Sequence, residues 1–210
     1  MLTKLYEKEN PHIFFVSDTH FGHKNILKYT NRPFDTIEKM DEELILRWNT
    51  VVPENGLVYH LGDFALPGNN GKSLRDRFRR YFQELNGQII LIKGNHDRYL
   101  FKKFRVGGDF HTRQGYPVCF SKDFCRECVI GDSSGFYHAH MTHKPLHPGL
   151  YKKKKQSEFD IFLHGHVHGK PISAPPDYLD LTVDANNFMP VSQEKVIQLL
   201  HAKKEIQSNA

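Results

Sequence analysis

Four short polar clusters, each containing aspartate or histidine, follow apolar runs of this sequence. They are Ser17-Asp18-Thr19-His20, Gly62-Asp63, Gly94-Asn95-His96-Asp97 and His164-Gly165-His166-Val167-His168. A fifth candidate, His143, lies in Met141-Thr142-His143-Lys144-Pro145. Carboxylate, imidazole and amide groups together suit Mn, Fe, Zn or Ni better than a soft thiolate site does. The clusters therefore predict a metal centre assembled from distant parts of the chain.

Phosphoryl transfer is the chemistry that such a ligand set favours. Two divalent ions about 3.5–4 Å apart can hold the attacking and leaving oxygens of the reaction. Ions this close need a bridging anion, and Asp63 on its glycine turn is the best candidate. Asp18 and His20 can bind one ion from one side. The ions outweigh the two aspartates in charge, which attracts a phosphate and lowers the pKa of a bridging water to give a hydroxide nucleophile.

The remaining candidate ligands are neutral. His166 and His168 lie two residues apart after an apolar run, and with the intervening turn each can face a different ion. Asn95 supplies an amide oxygen and His143 an imidazole nitrogen. His96, next to Asn95, is then free to protonate the leaving oxygen or to bind the phosphoryl group.

Alternating strands and helices are predicted to bring these clusters together. Apolar runs at 12–17, 57–61 and 89–92 predict buried strands. Apolar residues at 3.6-residue spacing predict amphipathic helices over 36–50 and 73–85. Because ligand crevices in open α/β sheets lie beyond the carboxyl ends of the strands, we expect the clusters at one edge of a sheet.

The second half of the chain predicts three further strands and a helix. The strands are expected at 136–141, 160–163 and 178–183, the last one at a sheet edge, and the helix at 192–204. The run Lys152 to Lys155 is interpreted as an exposed loop. The alternative is that it borders the site and attracts a polyanion.

Composition indicates a soluble domain rather than a disordered or membrane-spanning chain. The 210 residues, 39% hydrophobic and 25% charged, predict one domain over 1–210. The formal net charge of +5 weakly favours anionic partners. No apolar run approaches about 20 residues, which predicts no membrane span. The charged N-terminus lacks a signal-peptide core, which predicts a cytoplasmic protein.

The three cysteines are interpreted as reduced and structural. Cys119, Cys125 and Cys128 are odd in number, which argues against a full disulfide framework. A zinc knuckle that adds His138 or His140 is the alternative. A second four-ligand cluster of regular spacing is absent from the sequence, so the structural interpretation is preferred.

The ordered motif set resembles the calcineurin-like metallophosphoesterase family. All five family motifs occur in the family's order across residues 17–168, and 18–25 further resembles small bacterial and phage members. The resemblance implies an α/β fold of four layers, with two mixed sheets flanked by helices and a binuclear metal site at the C-terminal ends of the strands. It implies two divalent ions, with Mn²⁺ expected and Fe, Ni, Zn or Mg as alternatives.

The resemblance also implies a role for each motif residue. One ion would be held by Asp18, His20, Asp63 and His168. The other would be held by Asp63, Asn95, His143 and His166. His96 would act as the catalytic acid or as a phosphate ligand.

One motif departs from the family pattern. In members that act on protein phosphoserine the second motif continues as Val-Asp-Arg-Gly, whereas Asp63 is followed here by Phe64-Ala65-Leu66. The aspartate that orients the catalytic histidine and the arginine that binds phosphate are therefore missing. This favours diesters over protein monoesters. His23, Asn25 and Arg98 are candidates to contact phosphate instead.

Three functions are compatible with this pattern. The first is a phosphodiesterase that acts on nucleotides, cyclic nucleotides or nucleic-acid ends. The second is a non-catalytic interaction module on the same fold, which is disfavoured because every expected ligand and His96 are present. The third is a sequence-independent nuclease, which predicts steeply salt-dependent binding with a contribution from Lys152 to Lys155. The pattern carries no prediction of the oligomeric state.

Overall fold

Two β-sheets packed face to face form the centre of the computed structural model. It describes residues 12–69, 71–104, 109–121, 123–155, 159–175 and 177–208. In chain order the elements are β1 (Ile13–Val16), α1 (Ile26–Tyr29), α2 (Ile37–Val51), β2 (Leu57–His60), α3 (Leu74–Glu84), β3 (Gln88–Leu91), α4 (Arg98–Lys103), β4 (Cys119–Phe120), β5 (Cys125–Asp132), β6 (Gly135–Thr142), α5 (Pro148–Lys155), β7 (Ile161–His164), β8 (Tyr178–Asp180), a 3₁₀ turn (Val183–Ala185), β9 (Val191–Ser192) and α6 (Gln193–Ser208).

The first sheet has the strand order β4-β3-β2-β1-β9. Strands β1 to β4 are parallel, and β9 runs antiparallel to β1. Val16 pairs with His60, and His60 pairs with Leu91, so the first three strands end level with one another. The polar clusters that follow these strands therefore leave the sheet at the same edge, as the sequence predicts.

The second sheet has the strand order β5-β6-β7-β8. Strands β5 and β6 form an antiparallel hairpin, while β6, β7 and β8 are parallel. Thr142 pairs with His164, which places His143 beside the turn at Gly165. Both sheets are thus mixed.

Successive side chains of a strand point to opposite faces of its sheet, so the two faces of the first sheet pack against different layers. In β1, Phe14 and Val16 join the core shared with the helices, whereas Ile13 and Phe15 join the core between the sheets. The inter-sheet core also contains Ile130 and Met141 of the second sheet. Because successive strand side chains point to opposite faces, an apolar run buries both faces of a strand.

The helices complete the outer layers. Helices α2 and α3 begin after Thr36 and Ser73, whose side chains accept hydrogen bonds from backbone N–H groups of the first turn. On the other side, Tyr151 of α5 packs against Phe162 and Tyr178 of the second sheet. The fold class predicted from the sequence, two mixed sheets flanked by helices, is confirmed.

One local prediction is wrong. The run Lys152 to Lys155 was expected to be a loop, but it forms the second half of α5. Lysine is a good helix former, and Tyr151 buries its ring on the sheet from the same helix. Other element ends differ from the predicted ones by at most one residue, except that β8 ends at Asp180, before the 3₁₀ turn, and α6 continues to Ser208, four residues beyond its predicted end. In the described part of the chain, no helix is long and apolar enough to cross a membrane.

Candidate metal centre

Five predicted metal ligands have a left-handed backbone conformation. Their φ angles lie between 51° and 72°, in a region where non-glycine residues are uncommon, and they are Asp18, His20, Asp63, His166 and His168. Such conformations cost roughly 1–3 kcal/mol each and persist only where the surroundings fix them. Their concentration at the strand ends indicates that side-chain placement at this edge outweighs local backbone preference.

Backbone hydrogen bonds hold these turns against one another. The N–H of Asp18 donates to the carbonyl of Gly62 at 3.0 Å, and the N–H of His20 donates to the carbonyl of Asp63 at 3.0 Å. Two glycines allow the close approach. A Cβ atom at Gly94 would collide with the Asp63 carboxylate, and one at Gly165 would collide with Ser17 and Asp18.

The Asp18 carboxylate uses its two oxygens differently. Oδ2 accepts hydrogen bonds from the Ser17 hydroxyl at 2.5 Å and from the His166 N–H at 2.9 Å. Oδ1 instead lies 3.6 Å from His20 Nε2 and 3.4 Å from His168 Nε2. One oxygen thus fixes the carboxylate to the protein, and the other faces two imidazoles.

The two carboxylate oxygens of Asp63 also have different contacts. Oδ1 accepts the N–H of His96 at 2.8 Å. Oδ2 lies 3.7 Å from His20 Nε2 and 3.4 Å from His143 Nε2. Because Oδ2 faces histidines of both halves of the site, Asp63 has the position that a bridging ligand requires.

Two sets of side chains could each hold a cation. The first ligand group is Asp18, His20 and His168, and the second ligand group is Asp63, His143 and His166. Within each group, one ligand atom per residue lies within 4.8 Å of the others. Asn95 adds its Oδ1, 2.9 Å from His143 Nε2. The structure thus brings together all seven predicted metal ligands.

The chemistry of the first ligand group fits a divalent ion. Asp18 Oδ1 and His20 Nε2 are buried and have no hydrogen-bond partner in the described structure. A buried polar atom without a partner costs about 1–3 kcal/mol. A cation between these atoms would satisfy both, and the nitrogen and oxygen donors suit Mn²⁺, Fe, Ni or Zn.

Outer hydrogen bonds aim the imidazoles at the centre. His143 Nδ1 is 3.0 Å from the carbonyl of Leu61, and His168 Nδ1 is 2.7 Å from Asp184 Oδ2. His20 Nδ1 is 3.2 Å from His23 Nδ1. Each contact leaves Nε2 for the site, which is how outer partners orient histidine ligands of metals.

Arg32 and Asp184 support the first ligand group and were not predicted from the sequence. Arg32 is buried and donates to Asp184 through Nε at 2.9 Å and through a terminal nitrogen at 2.8 Å. It also donates to the backbone carbonyls of Asp18 and Thr19. Arg32 and Asp184 are 152 positions apart, and neither belongs to a motif. No local sequence pattern therefore predicts the ion pair between Arg32 and Asp184.

Asp97 is a third residue whose role the sequence did not reveal. Its buried carboxylate accepts the N–H groups of Asp63 at 2.7 Å, Phe64 at 3.0 Å and Gly94 at 2.8 Å. Burial and the charge of Asp63 raise the pKa of Asp97 to about 7. The last residue of Gly94-Asn95-His96-Asp97 thus ties the second and third motifs together.

The surroundings of Asp18 and Asp63 favour the ionised forms of both carboxylates, which are the forms that bind cations. Burial opposes ionisation of Asp18 and Asp63, yet the imidazole of His20 beside Asp18, that of His143 beside Asp63 and the charges of nearby histidines lower both pKa values. Burial also acts against the charged form of His143, but Asp63 and Asp18 raise its pKa overall. A cation would displace the proton of His143, so metal binding is expected to weaken as the pH falls.

Of the predicted catalytic and substrate residues, His96 and His23 lie beside this centre, and Arg98 lines the same cavity as Asn95 and His143. The His96 side chain is 41% exposed, and its Nε2 is 4.0 Å from Asp63 Oδ2. His23 is half-buried, with its ring 5.7 Å from that of His96. Asn25 is exposed at the start of α1, and Arg98 is exposed at the start of α4.

The cysteines belong to neither ligand group. Cys119, Cys125 and Cys128 are thiols that form no disulfide bond. Among the described residues, the side-chain groups that could hold a metal contain no cysteine. The zinc-knuckle alternative therefore receives no support.

Comparisons with known proteins agree with the fold and the motifs. The model of the calcineurin-like phosphoesterase superfamily domain matches residues 12–179. The chain is 31% identical to an uncharacterized protein of Methanocaldococcus jannaschii, with 93% of this chain and 95% of that protein covered. It is 26% identical to the gene 66 protein of Mycobacterium phage L5, with 76% and 78% covered.

A solved structure shares the fold. The protein of unknown function AQ665 from Aquifex aeolicus superposes with a TM-score of 0.64 at 21% identity, covering 90% of this chain and 100% of that chain. At this identity the likeness concerns the fold alone. Because the family model covers strands β1 to β7 and all five predicted motifs, this chain belongs to the calcineurin-like phosphoesterase superfamily.

Proposed function

We propose that this protein is a metal-dependent phosphodiesterase with two divalent ions, Mn²⁺ foremost. Membership of the phosphoesterase family supports hydrolysis of phosphate esters. The observation that carries the proposal is the position of Asp63 Oδ2, which faces His20 and His143 at 3.7 Å and 3.4 Å. A single carboxylate oxygen there can serve both ligand groups at once.

When bound, the two ions would supply Lewis-acid polarisation of the phosphoryl group and a lowered pKa of water. The protein itself fixes the geometry. Asp18 and Asp63 each anchor one oxygen on a backbone N–H group, so the other oxygen has a defined direction. This pre-organisation avoids rearrangement during the reaction.

His96 is proposed as the general acid. In the hydrolysis, water adds to phosphorus, one P–O ester bond breaks, and the leaving oxygen gains a proton. His96 is the exposed histidine beside Asp63, and its backbone N–H is held by Asp63 Oδ1. Its ring, 5.3 Å from that of His20, can reach a leaving group above the centre.

The residues after Asp63 favour diesters. Phe64 and Ala65 are buried in the core between the first sheet and the helices. This segment therefore brings no charged group to a phosphate. A diester carries less charge than a monoester and needs fewer cationic side chains.

The test is hydrolysis of bis-p-nitrophenyl phosphate and p-nitrophenyl phosphate by metal-stripped protein with Mn²⁺, Ni²⁺, Zn²⁺ or Mg²⁺ added back. We expect diester cleavage only with metal, and loss of that cleavage in Asp63→Ala. Asp132→Ala, at the exposed β5–β6 hairpin, is the matched control and should retain full activity. Failure of every metal to restore cleavage of either ester would favour the non-catalytic module instead.

A further inference from the structure

A cavity of about 600 Å³ opens beside the second ligand group. Asn95 and His143 form its border with the metal centre. Sites for small molecules and cofactors are typically about 300–1,000 Å³. The cavity therefore has room for a substantial part of a substrate whose phosphate lies at the metal centre.

One part of the cavity wall is apolar and exposed. Phe124, just before β5, is 70% exposed, and Leu150 of α5 is 46% exposed. Burial of a phenylalanine or leucine side chain is favourable because it removes apolar surface from water. Two such residues left open in a concave site provide surface for a flat apolar group of a ligand.

The rest of the wall carries positive charge. Lys93, Arg98 and Lys144 line the cavity, and Lys93 Nζ lies 5.2 Å from the centroid of the Phe124 ring. None of the described residues that line it is acidic. Cations beside an exposed aromatic ring are the combination by which proteins hold the phosphates and stacked bases of single-stranded nucleic acids.

A second cleft nearby lacks this combination. It lies by Gly22 and contains Glu38 and Asp41 as well as Arg77 and Arg80. Carboxylates in that cleft oppose an anionic ligand. The difference assigns the substrate to the Phe124 side of the centre.

We propose that this cavity binds a nucleotide unit of the substrate adjoining the phosphate that is cleaved. Its base would stack on Phe124, and a further phosphate would lie among Lys93, Arg98 and Lys144. The proposal rests on the phosphodiesterase function and specifies its substrate as a phosphodiester with a nucleoside and an additional phosphate. A free dinucleotide and the end of a single-stranded nucleic acid share this chemistry.

The test compares 5′-phosphorylated thymidylyl-thymidine with two analogues, each lacking one of its two bases, on Mn²⁺-loaded protein. We expect removal of the bound base to lower kcat/KM about 5- to 150-fold, mainly through KM, since stacking is worth about 1–3 kcal/mol per base and 1.4 kcal/mol corresponds to tenfold. Phe124→Ala should lower kcat/KM for the complete substrate by a similar factor. Removing the same base should then have little further effect in this variant, because the two changes delete one contact.

Phe136→Ala is the matched control, since Phe136 is 84% exposed on the same sheet but outside the cavity. It should leave every kcat/KM unchanged. Equal kcat/KM for the complete and base-free substrates, or no cleavage of any of them while bis-p-nitrophenyl phosphate is cleaved, would overturn the cavity proposal and leave the phosphodiesterase intact. Loss of all hydrolysis would instead contradict the function itself.

A second experiment distinguishes a free dinucleotide from the end of a single-stranded nucleic acid as the substrate. Equal kcat/KM for the dinucleotide and for decathymidylate would identify a free dinucleotide, and a clear preference for the longer chain would identify a nucleic-acid end. Lys144→Ala should reduce the slope of log KM against log salt by about one, whereas Lys102→Ala, exposed on α4 outside the cavity, should not. An unchanged slope in Lys144→Ala would contradict the phosphate position.

Discussion

The two ligand groups of the centre are similarly buried, with two buried residues and one half-buried histidine each, but they differ in support and in what adjoins them. In the first group Asp18 and His20 are 0% and 2% exposed, and the buried Arg32–Asp184 pair lies behind His168. The second group adjoins exposed Asn95 and borders the cavity, whereas Asp63 and His143 are as buried as Asp18 and His20. The first group is therefore suited to hold an ion firmly. The second is suited to exchange ligands and to receive the substrate.

His96 gives the largest expected effect, because it separates chemistry from metal binding. His96→Ala should lower kcat about 10²–10⁴-fold by removing the proton donor. Metal content should stay at the wild-type value, since His96 belongs to neither ligand group. Loss of metal together with activity, measured by elemental analysis of the variant, would assign His96 a structural role instead.

Asp184 tests the support behind the first group. Asp184→Ala leaves Arg32 buried without its carboxylate and His168 without its Nδ1 partner. We expect Mn²⁺ affinity at the first group to fall about 10–100-fold. The free energy of unfolding should fall by about 3–5 kcal/mol, as for other broken buried ion pairs.

Titration calorimetry and urea unfolding measure the two effects of the Asp184 substitution. Asp35→Ala removes an exposed carboxylate from a surface pair with Lys39 and is the control for both. If Asp184→Ala binds Mn²⁺ with the affinity of the wild type, the contact between Asp184 and His168 does not contribute to metal binding.

Asn95 tests the second ligand group. Asn95→Ala should weaken one of the two Mn²⁺ binding steps, by about tenfold, and leave the tighter step unchanged. The reason is that Asn95 Oδ1 lies beside His143, in the second group only. Calorimetry should then resolve one unchanged and one weakened step. Equal weakening of both steps would mean that the groups are not separate.

The smallest expected effect concerns Asp41, whose carboxylate supports the turn that follows His20. Its contribution to stability is expected to depend on pH. Its buried carboxylate accepts the Gly22 N–H at 2.9 Å and the Tyr81 hydroxyl at 2.8 Å. Burial raises the pKa of Asp41 to about 6. Between its ordinary pKa of 3.8 and about 6 the folded state therefore binds more protons than the unfolded chain, and the Asp41 contribution to stability falls as the pH rises.

The measurement is urea unfolding of the wild type and of Asp41→Asn from pH 4 to pH 7. The stability of the wild type relative to the variant should decline by about 2–3 kcal/mol across that range. A constant difference would show that Asp41 is ionised throughout.

The contrast between the ligand groups also explains what the sequence could predict. Each ligand follows or closes an apolar run, so strand prediction alone placed Asp18, Asp63 and Asn95 at one edge. Arg32 and Asp184 could not be found in this way, because their pairing depends on three-dimensional packing across 152 positions. The run Lys152 to Lys155 was misjudged because its charge suggested a loop, while its helix depends on packing by Tyr151.

The central claim is that two cations share Asp63, and metal stoichiometry tests it most directly. Titration of metal-free protein with Mn²⁺, checked by elemental analysis, should give two ions per chain in the wild type. Asp63→Ala should retain at most one tightly held ion, bound by the remaining ligands of the first group. A wild type that binds a single ion, or an Asp63→Ala variant that still binds two with unchanged affinity, would contradict the account.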